Sequence, residues 1–205
     1  QEFEALLAIF QEESDKRVAL EKRRTGAIKL GGYRALDTFT QNRFQVTENN
    51  RPAFEAAVAF NKNFDNLYFR GPTGCGKSHL AAIAARKYLN NRDIETTNQM
   101  GISRVIRSSE SADDESRMIH ALAALGVLVI NDLGVAKDTE FMISVIYEVL
   151  DLRYMNRPGG LIVTSNLSLS ELSRKLGDDR ISSRLAGMCK VFNLVGEPDK
   201  RIDGK

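Results

Sequence analysis

Residues 71–78 carry the clearest chemical signal in this sequence. They read Gly-Pro-Thr-Gly-Cys-Gly-Lys-Ser and satisfy the spacing G-x-x-x-x-G-K-[ST] in full. Glycines at this spacing let the backbone curl so that successive N–H groups point at one anion, and the helix expected to follow adds its positive end. Lys77 is expected to reach the β- and γ-phosphates of a nucleotide, and Ser78 to offer its hydroxyl to Mg²⁺.

The segment therefore predicts a site for two cofactors, ATP and Mg²⁺. The residues expected to bind the nucleotide are Gly71, Pro72, Thr73, Gly74, Cys75, Gly76, Lys77, Ser78 and His79. Cys75 is interpreted as a small residue whose backbone faces phosphate, with a redox role as the weaker alternative.

A second polar group follows the apolar residues 127–130, where Asn131 and Asp132 stand. An enzyme with this loop needs an acid at the end of a neighbouring strand to hold the Mg²⁺ shell, and an acid beside it can activate water. Asn131 occupies the first of these places and brings no charge. Three interpretations stay open: Asp132 takes over the metal beside Ser78, ATP is bound but hydrolysed slowly, or the two residues form a simple turn.

Polar residues further along the chain could complete such a site. Asn166 follows another apolar run, where it could orient the attacking water or merely cap a helix. Arg180 and Arg184 are four residues apart and would share one face of a helix. An arginine offered to a neighbouring subunit's γ-phosphate stabilises transition-state charge. The alternative is a pair of surface arginines bonded to Asp178 and Asp179.

Apolar periodicity and breaker residues predict alternating strands and helices, typical of an α/β domain with a mainly parallel sheet. The predicted strands are residues 66–70, 94–97, 127–130, 161–164 and 191–194. The predicted helices are residues 3–24, 53–61, 77–89, 102–109, 117–125, 141–154, 169–176 and 181–185. Residues 111–115 are predicted to form a polar loop.

Composition limits the class of protein. The chain has 205 residues, a net charge of +2 and 42% hydrophobic residues, which suit one domain with a short appendage. Two cysteines without metal-binding spacing fit a reducing, cytoplasmic setting, and no apolar run is long enough to span a membrane. Residues 16–43 hold eight basic residues against two acids, so they could bind phosphate or an acidic partner, or form a solvated helix and linker.

Four segments occur in a telling order: GPTGCGKSHLAAIAA, VLVINDLG, LIVTSNLS and DDRISSRLAG. With them the sequence resembles the AAA+ helicase loaders of the DnaC/DnaI type and their relatives, the IstB transposition ATPases, over residues 39–205. The resemblance implies a P-loop NTPase fold (AAA+/RecA-like), a three-layer sandwich with a mainly parallel central sheet and no evident C-terminal lid domain. It leaves residues 1–38 as a separate helical and basic segment, a possible remnant of a partner-binding region.

The resemblance also implies roles for single residues. Residues 71–78 match the Walker A motif, and Asn131 and Asp132 match the metal and catalytic positions of Walker B. Asn166 matches sensor 1, and Arg184 matches the arginine finger, with Arg180 as the less favoured candidate. Arg201 would match the sensor 2 arginine, although the Glu-Pro-Asp before it departs from the family pattern.

The implied function is that of an ATPase that loads a replicative DNA helicase onto single-stranded DNA, acting as an ATP-dependent oligomer of this chain and not at a membrane. One alternative is an IstB-type ATPase that regulates a transposase on duplex DNA. Another is an ATP-binding adaptor that hydrolyses slowly or not at all, as Asn131 suggests. Related loaders touch single-stranded DNA in the segment after residue 94. The arginines there (Arg104, Arg107 and Arg117) are outweighed by Asp113, Asp114, Glu115 and other acids, so the sequence does not itself show a basic path for DNA.

Overall fold

A computed structural model of the chain describes residues 39–63, 65–88, 94–135 and 139–194. Within these ranges the strands are β1 (Asn66–Arg70), β2 (Ile94–Asn98), β3 (Val127–Asn131), β4 (Gly160–Ser165) and β5 (Lys190–Asn193). The α-helices there are α1 (Arg51–Ala59), α2 (Lys77–Arg86), α3 (Gln99–Arg107), α4 (Ala112–Ala123), α5 (Glu140–Asn156), α6 (Leu169–Leu176) and α7 (Arg180–Met188). The predicted helix at residues 3–24, the basic stretch before residue 39 and Arg201 lie outside the described residues.

All described strands join one parallel sheet in the order β2-β3-β4-β1-β5. The predicted α/β class with a mainly parallel sheet is therefore confirmed. Because the strands are parallel, their carboxyl ends meet at one edge, which is where ligands bind in open α/β sheets. The phosphate loop after β1 and the polar residues after β3 and β4 all belong to that edge.

Alternate residues of each buried strand feed two separate cores, as the period of two in a strand requires. Val127 and Val129 of β3 pack beneath α1 and α2, whereas Leu128 and Ile130 pack against the helices on the other face. Both faces of the central strands are thus covered, which explains why they read as continuous apolar runs. The result is the three-layer sandwich expected from the sequence.

The amino-terminal edge of the sheet is tied together by a buried arginine. Arg153 on α5 is only 2% exposed. Its Nη1 donates to the carbonyls of Ala123 and Leu125 at 2.9 and 2.8 Å, and its Nη2 donates to those of Gly159 and Gly160 at 3.1 and 2.8 Å. One guanidinium thereby satisfies the backbone that leads into β3 and into β4.

The polar loop predicted at residues 111–115 is wrong, because these residues begin α4. Ser111 is the N-cap, and its hydroxyl accepts a hydrogen bond from the Asp114 N–H at 3.1 Å. Asp113, Asp114 and Glu115 occupy the first turn, where carboxylates interact favourably with the positive end of a helix. The run of acids is therefore a helix start and not a break.

Among the helices that the structure describes, none combines the length and the apolar character needed to cross a bilayer.

Candidate nucleotide-binding site

The loop between β1 and α2 adopts a conformation that only glycine tolerates well. Gly76 has φ of 100° and a Cβ there would lie 3.0 Å from the Phe44 ring. A Cβ on Gly71 would lie 2.9 Å from the Cys75 sulfur and 3.0 Å from Cβ of Leu194. The glycine spacing of the motif therefore reflects two physical needs, a left-handed backbone and close packing, that shape a cradle for an anion.

Lys77 places its positive charge inside this cradle. The side chain is only 5% exposed, and Nζ donates to the carbonyls of Gly71 and Pro72 at 2.8 and 2.7 Å. The ammonium group is thus held against the two residues that open the loop. Ser78 follows in the first turn of α2, half-buried. A cation inside a curl of backbone at a helix start fits the phosphates of a nucleotide.

His79 ties the incoming chain to α2. Its Nε2 donates a 2.8 Å hydrogen bond to the carbonyl of Thr40, and this fixes the proton on Nε2 because a carbonyl can only accept. The Phe39 ring stacks on the imidazole at 4.8 Å, and the Phe44 ring meets it edge-on at 5.1 Å. The structure thus gives His79 contacts with residues before the phosphate loop, and its assignment to the nucleotide stays a prediction.

Asn131 lies at the carboxyl end of β3, where its amide joins two neighbouring strands. It is 6% exposed, and its Nδ2 donates to the Thr97 carbonyl at 3.5 Å. Its Oδ1 accepts from Oγ1 of Thr164 at 3.4 Å. The amide therefore uses both a donor and an acceptor, a combination that an ionised carboxylate at this position could not supply.

Asp132 takes the next position with an exposed side chain and φ of 51°. Asp tolerates this left-handed conformation better than most residues. Its backbone N–H donates to Oγ1 of Thr164 at 2.9 Å, which fixes the turn while leaving the carboxylate at the surface of the edge. The arrangement places a carboxylate at the same edge of the sheet as the phosphate loop, and the chain also turns at Asp132.

The two residues after Asp132 are bonded on every side. The Leu133 N–H donates to the Thr164 carbonyl at 2.9 Å, and its carbonyl accepts from Oγ of Ser165 at 2.6 Å. The Gly134 N–H donates to Oε1 of Gln99 at 3.0 Å, and its carbonyl accepts from Nζ of Lys175. Sequence reasoning assigned no role to the side chains of Ser165, Gln99 and Lys175, nor to that of Thr164, whose hydroxyl bonds Asn131 and Asp132. The two hydroxyls at the end of an apolar strand were a usable signal, whereas Gln99 and Lys175 gave none.

Asn166 is exposed and follows the last residue of β4, immediately beside the phosphate loop. The Gly71 N–H donates to the carbonyl of Ser165 at 3.2 Å, so the end of β4 and the start of the loop are bonded directly. The buried Tyr68 hydroxyl donates to the Leu167 carbonyl at 2.9 Å, and burial raises the pKa of this phenol to about 12. The chain on both sides of Asn166 is therefore anchored to β1 or to the loop.

Arg180 and Arg184 lie elsewhere, on α7, and both reach α5. Arg180 pairs with Asp178 at 2.6 Å and lies 4.5 Å from the Tyr147 ring centre. For Arg180, the structure shows the ion pair with Asp178 that the sequence analysis gave as the alternative to a finger role. Arg184 does not use that pair of acids, because its Nε donates to Asp151 at 2.6 Å. The structure thus places residues 71–78, Asn131, Asp132 and Asn166 at one edge of the sheet but leaves the two arginines in contact with α5.

Comparison with known proteins identifies the family. The model of the family described as IstB-like ATP binding protein matches residues 3–200. The chain belongs to this family. The IstB-like match extends over nearly all of the sequence and so includes the phosphate loop, Asn131, Asp132 and Asn166 described above.

Curated relatives of this IstB-like protein fall into two groups. The replicative helicase loader DnaC of Escherichia coli (strain K12) is 27% identical over 199 residues, covering 89% of this chain and 80% of DnaC. The ATP-binding protein of insertion sequence IS5376 from Geobacillus stearothermophilus is 25% identical over 174 residues, covering 82% of this chain and 68% of the relative. The resemblance to both groups inferred from the motifs is therefore confirmed.

Solved structures agree on the fold of the IstB-like chain. A crystal structure of the DnaC helicase loader matches with a TM-score of 0.62 at 20% identity, over 78% of this chain and 98% of that one. The AMPPCP-bound DnaA of Aquifex aeolicus matches with a TM-score of 0.62 at 17% identity, over 76% of this chain and 49% of DnaA. The chain thus shares the α/β fold of these proteins, and it spans about half the length of the DnaA structure.

Proposed function

We propose that this chain hydrolyses ATP as an oligomer and delivers a replicative DNA helicase to single-stranded DNA. The observation that carries the proposal is the meeting of the phosphate loop, Asn131, Asp132 and Asn166 at one edge of the sheet. The match to the DnaC loader, which is 27% identical over 199 residues against 25% over 174 residues for the IS5376 relative, supports helicase delivery.

Nucleotide binding would fall to the loop and Lys77. The N–H groups of residues 71–78 would hold the phosphate oxygens, and the Lys77 ammonium would exchange its carbonyl partners for the β- and γ-phosphates. The Ser78 hydroxyl would hold Mg²⁺, which when bound neutralises charge on the β- and γ-oxygens. The cradle, the buried cation and the helix start fit this group.

Hydrolysis would depend on Asp132 and Asn166. The Asp132 carboxylate would accept the proton of the attacking water, and the Asn166 amide would orient that water. Asn131 contributes an amide oxygen and no charge, so we expect a weaker hold on Mg²⁺ and slow turnover. Replacing Asp132 by Asn should lower turnover by about 10²–10⁴-fold and leave ATP binding intact.

An arginine from a neighbouring subunit would complete the site. We assign this role to Arg184, with Arg180 as the second candidate. A finger of this kind is worth about 10³–10⁵ in rate. The decisive experiment mixes Arg184→Ala subunits, which keep the phosphate loop, with Lys77→Ala subunits, which keep Arg184. Turnover well above the sum of the two separate proteins supports the assignment, and turnover equal to that sum contradicts it.

Residues 1–38 would bind the helicase, and residues 39–205 would form the ATPase domain. We place this function in the cytoplasm. Co-purification with the replicative helicase of the host tests this directly. ATP turnover should also rise when single-stranded DNA is added to the assembled protein. If the protein neither co-purifies with the helicase nor shows higher ATP turnover with single-stranded DNA, the loader function is excluded.

A transposition role is the main alternative, favoured by the family description and by the IS5376 relative. In that case the oligomer would hold duplex DNA, with a transposase as the protein partner. Pull-down with matched single-stranded and duplex DNA separates the two functions. A non-hydrolysing adaptor, the third possibility, would show ATP binding without turnover even when measured on the DNA-bound oligomer.

A further inference from the structure

The environment of Arg184 is built from two helices whose residues match in spacing. Asp151 and Tyr154 are three apart on α5, and Arg184 and Gly187 are three apart on α7. Residues three apart on a helix lie on the same face. The two pairs face each other. Helix α5 supplies a carboxylate and an aromatic ring, and helix α7 supplies the arginine and a glycine.

The carboxylate contact engages only one end of the guanidinium. Nε of Arg184 donates to Oδ1 of Asp151 at 2.6 Å, and the two side chains are 33% and 32% exposed. The charge-assisted bond to Asp151 raises the pKa of Arg184, with smaller contributions from the Asp151 charge and from Tyr147. A phosphate is met most effectively by the terminal nitrogens, Nη1 and Nη2. Asp151 therefore binds Nε and not the terminal nitrogens with which Arg184 would bind a phosphate.

The ring contact fixes the plane of the same group. The centre of the guanidinium lies 4.7 Å from the Tyr154 ring centre, within the range of a cation–π interaction. Gly187 leaves room for the ring, since a Cβ at this position would lie 3.2 Å from Tyr154 Cε2 and would require a shift of a few tenths of an ångström. The guanidinium thus has two different contacts, a hydrogen bond from Nε to Asp151 and the Tyr154 ring against its face. Together they restrict a side chain that would otherwise sample many rotamers.

We propose that Asp151 and Tyr154 are positioning residues that hold Arg184 in the orientation in which it meets the nucleotide of a neighbouring subunit. This inference rests on the proposed trans role of Arg184. An arginine held in advance loses less conformational entropy when it engages phosphate. A displacement of about 1 Å at such a group can reduce a rate by about 10²-fold.

The test places the Asp151→Ala change in one partner of a mixed oligomer at a time. The first partner, Arg184→Ala, supplies the phosphate loop, and the second, Lys77→Ala, supplies the finger. Added to the finger-supplying subunit, Asp151→Ala should lower turnover of the mixture by about 10–100-fold with little change in KM for ATP. Added to the Arg184→Ala subunit, it should change nothing, because the arginine it would position is already gone.

Each other outcome has a definite meaning. Equal losses in both placements would show that Asp151 only holds α7 on α5, and a faster mixture would show that it withholds the arginine; both overturn the inference. A mixture that turns over normally with Asp151→Ala in the finger-supplying subunit overturns it while leaving the proposed finger intact. A parent mixture without turnover removes the trans finger and this inference together.

Conservative variants separate positioning from folding. Asp151→Asn keeps an oxygen that accepts from Nε, and Tyr154→Phe keeps the ring face, so both should retain most of the turnover in the finger-supplying subunit. Tyr154→Leu should lose it. Glu148→Ala, which removes an exposed acid from the same helix, is the matched control and should match the parent mixture. Loss with Tyr154→Phe equal to that with Tyr154→Leu would contradict the role of the ring.

Discussion

Oγ1 of Thr164 donates a 3.4 Å hydrogen bond to Oδ1 of Asn131, joining the carboxyl ends of β4 and β3 beside the phosphate loop. The same Asn131 amide donates to the carbonyl of Thr97 on β2 at 3.5 Å. Asn131, the residue at the expected metal position, is thus an uncharged side chain whose hydrogen bonds connect β3 with β2 and β4. This relationship shapes the first of four predictions.

Asn131→Asp should lower the Mg²⁺ concentration for half-maximal ATPase activity and raise turnover. A carboxylate accepts from a metal-bound water about twice as strongly as an amide does. It cannot donate to Thr97, so we also expect a loss of about 1 kcal/mol in the free energy of unfolding. Magnesium titration of the ATPase rate and urea unfolding measure the two effects.

Asn98→Asp is the control for added charge, because Asn98 lies opposite Asn131 in the strand pairing and Asp is an equally good N-cap for α3. It should leave the magnesium titration unchanged. If Asn131→Asp gives the same titration curve as the unaltered protein, Asn131 is not at the metal and Asp132 must hold it instead.

Lys77→Ala should abolish ATP binding, because it removes the buried cation from the loop. ATP at about 100 times Kd should stabilise the unaltered protein by about 2.7 kcal/mol. For a chain of this size that is a rise in Tm of roughly 5–11 °C. Lys87→Ala, at the other end of the same helix, should keep this shift. An ATP-induced shift that survives in Lys77→Ala would place the site elsewhere.

Tyr68→Phe should flatten the loss of stability at alkaline pH. Burial raises the pKa of Tyr68 to about 12, against about 10 in an unfolded chain. Between these values the folded state keeps a proton that the unfolded state has lost, so stability falls as pH rises, by about 1.4 kcal/mol per pH unit. Urea unfolding at pH 8, 10 and 11 measures the slope. Equal slopes in the two proteins would contradict the assignment to this phenol.

Arg153→Met should destabilise the fold by more than about 3 kcal/mol. It removes the partner of four carbonyls, and each buried acceptor left unsatisfied costs about 1–3 kcal/mol. Arg157→Met, at the exposed end of the same helix, should change stability by no more than about 0.5 kcal/mol. Denaturant unfolding of both variants decides, and similar midpoints would show that the four bonds matter little.

Local signals predicted much of the fold and pointed to the residues of the candidate site. The phosphate loop depends on a contiguous motif, and the strands that lead to Asn131 and Asn166 depend on short apolar runs, so both could be read from neighbouring residues. The prediction of a loop at residues 111–115 was wrong because acidic residues are common both in loops and in the first turn of a helix. Ser111, as the N-cap, favours the helix here.

Contacts between distant segments could not be predicted in this way. Asp151 is 33 residues from Arg184, and Thr40 is 39 residues from His79. No periodicity connects residues so far apart, since their contact depends on how whole helices pack. The candidate residues themselves could therefore be identified from the sequence, whereas their contact partners could be identified only from the structure.

The described domain is joined to the rest of the chain at its working edge. The incoming chain at Phe39 and Thr40 rests on His79, the residue after Ser78. The outgoing chain at Leu194 donates its N–H to the Arg70 carbonyl at 2.7 Å and packs against Gly71. A displacement of either segment would thus act on a residue at one end of the phosphate loop, His79 for the incoming chain and Gly71 for the outgoing chain.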